Sequence, residues 1–166
     1  ASRGLGDVYK RQGEKGNAGG QREDILQLTL AEYRKAAETL VITFREVAEF
    51  LAERCILSLE QVPYSEQIIP LAVILARLAE KKGVLSSQES WDRLNQWFWS
   101  GVFGELYGSS AVKLRAARDV DEVTSWVSGD TESVPKTVRD ASFRESRLLS
   151  VGENDGVWHG LYALLM

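Results

Sequence analysis

His159 is the single imidazole of the chain and Cys55 its single thiol, so these two residues are the first to test for proton transfer or nucleophilic attack. General acid–base work by His159 needs a carboxylate or a nucleophile brought to it, and its nearest acids, Glu153 and Asp155, sit in a turn whose composition suits a helix cap. The sequence favours a surface or interfacial histidine on the last helix. Cys55 closes an apolar stripe on the first helix and reads as a small buried hydrophobe rather than a nucleophile. One thiol cannot form an intramolecular disulfide, and one thiol with one imidazole cannot cage zinc, so a disulfide framework and a multi-ligand metal site are both excluded. Such cysteine usage fits a reducing compartment, and a cytoplasmic location is the expectation.

Two further sets could meet nucleic acid. Trp97, Phe98 and Trp99, with Phe103 and Tyr107, could stack bases, as aromatic platforms do for single strands. Platforms of that kind are interleaved with cations, whereas the neighbours here are Gln96, Ser100, Glu105 and only Arg93, so the cluster is expected to pack a helical core. Lys113, Arg115 and Arg118 could touch phosphate and are the DNA-binding candidates of the chain. Arg118 beside Asp119 reads equally well as an ion pair on a solvated face, the reading the charge pattern favours. The phosphate-cradling GxxxxGK[ST], the dinucleotide GxGxxG, HExxH, GxSxG and the EF-hand loop are all missing from the sequence. No catalytic residue, metal ligand set or cofactor can be named.

The elements that carry these residues follow from periodicity. The 166 residues are 44% hydrophobic and 27% charged, an ordinary globular composition, and the net charge of -4 argues against a surface built mainly for phosphate backbones. The longest apolar run, Ile68 to Ala76, contains Pro70 and is far shorter than the ~20 residues of a membrane span, so no membrane partner is expected. Leu30, Tyr33, Ala37, Leu40, Phe44, Val47, Leu51 and Cys55 recur at spacings of three and four, which predicts a helix from about Thr29 to Leu57. Pro63 breaks the chain and Ser65 is placed to cap a second helix, apolar nearly all round and closed by Lys81-Lys82-Gly83. A third helix is expected from Trp91 to Tyr107, ended by Gly108-Ser109-Ser110, which also caps a fourth from Ala111 to Val127. Val138 to Leu149 reads as one short helix, and Asn154-Asp155-Gly156 as the cap of the last.

Residues 2–12, SRGLGDVYKRQ, resemble the translation of a transposon-end adapter used in sequencing libraries. Residues 1–12 are therefore expected to be an adapter-derived artefact, 13–24 a glycine-rich flexible linker, and 25–166 a helical domain fragment truncated at its C-terminus, where Trp158 to Met166 stops in an apolar run. The expected fold is all-α, a multi-helix bundle of about five to six helices behind a disordered N-terminal segment.

From Val62 to Trp126 the sequence is similar to the helical region of the GmrSD-like restriction endonuclease family. The similarity rests on Pro63 to Ala72 (PYSEQIIPLA), on Arg93 to Tyr107 (RLNQWFWSGVFGELY), on Arg118-Asp119 and on Val123 to Trp126, with Leu161 to Met166 as a weaker echo. Large members of that family carry a ParB-like nucleotide-hydrolysing domain and often an HNH nuclease domain, and act in defence against foreign or modified DNA. The DGQQR-type signature is missing from the sequence, and one histidine cannot furnish an HNH site. The resemblance thus implies an inactive helical connector whose partners are the flanking domains of a parent chain and, along the same path, DNA. The alternative reading is an all-helical protein-interaction module; the oligomeric state is open.

Overall fold

The most apolar segment of the sequence becomes the hub of the structure. In the computed structural model, which describes residues 29–108, 111–130 and 132–166, helix α2 (Ile68–Ala79) buries Leu71, Ile74, Leu75 and Leu78 completely. It packs between α1 (Leu30–Ala52) and α4 (Val112–Val127). Pro70 is tolerated because it occupies the first turn, where helix amides have no internal acceptor. Helix α3 (Gln88–Phe103) lies against α4, against the short α5 (Lys136–Asp140) and against α6 (Gly156–Leu165). Six α-helices and no strand occur among the described residues, so the fold is the all-α bundle that the periodicity predicts. The adapter-like stretch 1–12, the linker 13–24 and the expected N-terminal disorder lie outside the described residues.

Helix ends depart from expectation for one shared reason. Helix α1 stops at Ala52 rather than Leu57, because Cys55 takes a left-handed φ of 58° while the Ile56 amide bonds back to the Leu51 carbonyl at 3.0 Å and the Cys55 amide to Ala52 at 2.9 Å. These two bonds are the Schellman closure, and buried Leu51 and Ile56 supply its apolar pair. Cys55 is thus a half-buried turn residue and not the end of a helical stripe. Helix α3 ends the same way at Phe103, with Glu105 at φ 55° and the Leu106 amide bonded to the Gly101 carbonyl at 3.0 Å. The reversal carries Tyr107 off the helix and into the core, where it is 1% exposed.

The stripe on α1 is only half used. Val47, Phe50 and Leu51 are buried and Leu40 packs against Val73 and Val120, but Leu30 and Tyr33 are 64% and 61% exposed. Ser65 caps nothing. It opens a 3-10 turn, Ser65–Gln67, and its hydroxyl donates to the Glu66 carboxylate at 3.1 Å. The single helix expected over Val138 to Leu149 is two pieces, α5 and a 3-10 turn at Glu145–Leu149; extended backbone at Ala141 lets Phe143 reach the edge of Phe103, with ring centroids 5.7 Å apart. Ser109 and Ser110, expected to cap α4, lie outside the described residues, and Ala111 stands at its N-cap. Asp155 does cap α6, accepting from the Val157 amide at 2.9 Å.

Helix α6 is seated by close approach and by charge. Gly156 lies so near the Pro63–Tyr64 strap that a Cβ there would fall 2.5 Å from the Pro63 carbonyl oxygen. The Arg147 guanidinium grips Glu105 with two bonds, 2.9 and 3.0 Å, and also contacts the capping Asp155. Tyr64 underneath has its phenol pushed up to about 12 by burial and by the carboxylates of Asp155 and Glu105. Gly156→Ala is expected to cost ~1–3 kcal/mol, because backbone oxygen cannot yield as a flexible side chain would. A urea denaturation series reads this as a lower midpoint, and an unshifted midpoint would place α6 away from the strap.

Candidate functional site

The aromatic cluster turns inward around a carboxylate. Asp119, on α4, is 0% exposed and accepts from Trp97 Nε1 at 2.8 Å, from the Tyr107 hydroxyl at 2.6 Å and from Thr137 Oγ1 at 2.7 Å. Arg115 Nη1 donates to Thr137 Oγ1 at 3.0 Å, and Nη2 reaches Asp140 at 3.6 Å, so this guanidinium bridges the buried acid to the surface. Burial raises the Asp119 carboxyl above its ordinary value, against the pull of Tyr107, Trp97, Thr137 and Arg115. Burial and the neighbouring carboxylate together push the Tyr107 phenol upward, so it stays a proton donor at neutral pH. Phe98 meets Phe50 edge-on at 5.4 Å and Trp99 at 5.1 Å, and Trp99 stacks on Phe103 at 5.5 Å. These rings are spent on packing.

The DNA-binding candidates do not converge. The Arg118–Asp119 ion pair read from the sequence is not formed, because the carboxylate faces the core. Arg115 is held by Thr137 and Asp140 rather than offered to solvent. Lys113 is exposed and Arg118 half-buried, and five residues of α-helix separate them by about 140° around the axis. They share no face.

Cys55 and His159, far apart in sequence, line one cleft. The Schellman turn after α1 contributes Cys55, the 3-10 turn Leu59–Gln61 contributes Glu60 and Gln61, and α6 contributes Trp158, His159, Tyr162 and Ala163 around a volume of about 260 Å³. His159 Nε2 lies 2.8 Å from the Glu153 carbonyl oxygen, which requires Nε2 to carry the proton. In the neutral ring Nδ1 is then an acceptor, and it is buried without a hydrogen-bond partner among the described residues. Trp158 stacks on Tyr162 with centroids 5.3 Å apart and planes at 11°. Gln61 Oε1 accepts from the Leu57 and Ser58 amides at 2.7 and 3.2 Å and fixes the rim. The Ser58 hydroxyl holds the fully exposed Glu60 carboxyl below its ordinary value.

The Nε2 partner is a peptide carbonyl, so no carboxylate orients the ring as a triad acid would. No group of three or more His, Cys, Asp or Glu stands where it could hold a metal ion among the described residues. The periodicity places Cys55 and His159 on separate elements, and neither signals the other. Asp119 had a readable signal: it falls three residues after Ala116 and four before Val123, on the apolar stripe of α4. Thr137 had none.

No protein-family model, curated protein or solved structure matches the chain. No helix among the described residues is long and apolar enough to cross a membrane.

Proposed function

We propose that the chain is the helical connector of a GmrSD-like restriction protein, a frame without catalytic groups of its own that holds the flanking domains of a parent chain. What supports this reading is that the segments carrying the resemblance pack on one another. Gln67 of the first segment donates to the Phe98 carbonyl of the second at 3.1 Å. Trp97 and Tyr107 of the second donate to Asp119 of the third, and Arg93 donates to the Trp126 carbonyl at 2.7 Å. Side chains committed in this way fix helix–helix geometry.

The purified chain is expected neither to hydrolyse nucleoside triphosphates nor to cut DNA at any divalent metal, because a phosphate loop and a metal-binding carboxylate cluster are both missing from its motifs. DNA binding, measured by fluorescence anisotropy against salt, should be weak. Replacing both Lys113 and Arg118 with alanine should flatten the slope of log K against log salt by up to about 0.9 for each phosphate no longer neutralised. Cleavage that co-purifies with the chain and vanishes in His159→Ala would overturn the connector reading. Sequencing the reading frame to either side tests the family: a DGQQR segment upstream and an HNH segment downstream are expected, and a frame with neither would refute it. A protein-docking role is the second reading, favoured by Val41, Ile42 and Phe44, which α1 holds 66%, 62% and 39% exposed.

A further inference from the structure

The cleft between the end of α1 and α6 has no part in that frame. Trp158 and Tyr162 stand outside the hydrophobic core cluster, so core packing does not account for the stacked pair. We infer that this cleft is a binding site for the head group of a small organic ammonium ion, seated against the Trp158–Tyr162 aromatic wall with Glu60 at the rim.

Size, wall chemistry and charge each narrow the ligand. The volume of about 260 Å³ lies just below the ~300–1,000 Å³ of sites for drug-sized molecules, which suits one compact head group. Trp158 and Tyr162 cover one face of each other, and the face each leaves free carries the negative end of the ring quadrupole and attracts a cation lying over it, indole most strongly. Among the described residues Glu60 is the one carboxylate of the lining, and neither lysine nor arginine joins it, so the rim attracts cations and repels anions. A metal ion is a poor fit, since no group of three or more ligating side chains exists among the described residues. A quaternary ammonium needs no hydrogen-bond acceptors and is weakly hydrated, which suits a wall made mostly of rings and Ala163.

Cys55 supplies the readout, because it is the only thiol of the chain, lines the cleft and is half-buried. The experiment follows the rate at which iodoacetamide alkylates Cys55 in the full chain, with choline titrated against 3,3-dimethylbutan-1-ol, its neutral isostere. Choline should slow alkylation saturably, and the isostere should need about fivefold more, the factor a partly exposed cation–π interaction commands. Glu60→Gln, a change at a fully exposed side chain, should weaken choline protection by a few-fold while leaving the circular dichroism spectrum and the protection by the isostere unchanged. Trp158→Leu should abolish the preference for the cation. Nα-acetyl-trimethyl-lysine amide should protect more weakly than choline, because the cleft suits one compact head group, and tighter protection would overturn the small-ion reading in favour of a modified side chain of a protein partner. Equal protection by choline and its isostere would overturn the inference, as would the absence of protection by choline at tens of millimolar.

Discussion

Asp119→Ala is expected to destabilise the protein by on the order of 3–5 kcal/mol, the cost of breaking a buried charged network from one side. The substitution removes the acceptor for three donors at once, Trp97 Nε1, the Tyr107 hydroxyl and Thr137 Oγ1, none of which can turn to water. Each buried donor left unsatisfied costs ~1–3 kcal/mol, and Arg115 loses the anion it faces. Urea unfolding should show a lower midpoint at an unchanged m-value. Asp119→Asn retains the shape and one acceptor oxygen and should lose less. The pH dependence of the difference has a definite sign. Burial raises the Asp119 carboxyl in the folded state, so above the unfolded-state value of ~3.9 the native protein holds a proton that the unfolded chain has released. That contribution to stability is full below the unfolded value and is lost as pH rises through the raised one. The advantage of the wild type over Asp119→Asn should accordingly be largest near pH 4 and shrink toward neutrality. An advantage that grows with pH would mean that the hydrogen bonds outweigh desolvation.

The same residues show what the sequence can and cannot disclose. Apolar periodicity at 3.6 residues located α2, α3 and α4, because burial on one or all faces is written directly into residue spacing. It overran the ends of α1 and α3, since their left-handed closing residues are Cys55 and Glu105 where glycine would have announced the turn. Gly83, at φ 81°, sits at a boundary that the sequence does reveal. Asp119 was misjudged because its charge outweighed its position on the stripe of α4. What made burial tolerable was a set of donors from α3, the Tyr107 turn and α5, which only the tertiary fold assembles. The cleft was illegible for a similar reason: Cys55, Glu60 and Trp158 come together through a turn, a 3-10 segment and a salt-bridged helix, and no spacing rule connects them.

Trp97→Ala is expected to cost about as much as the loss of Asp119, ~3–5 kcal/mol, because the indole is completely buried and its removal leaves a large void between α3 and α4. Phe98→Ala should fall in the same range, since it removes the ring that packs edge-on against Phe50 and Trp99. At ~2–4 °C per kcal/mol for a chain of this size, either change should lower the melting temperature by on the order of 10 °C. A base-stacking role predicts the reverse pattern, an unchanged melt with abolished nucleic-acid binding. Trp97→Phe keeps an aromatic ring in the core while removing the Nε1 donor to Asp119 together with part of the buried volume. Its cost should be ~1–3 kcal/mol, the penalty for an acceptor left short of a partner. In the double variant with Asp119→Ala the two losses should not add, because each single change already breaks the same 2.8 Å bond. Strict additivity would show that indole and carboxylate act independently and that Trp97 contributes only volume to the core.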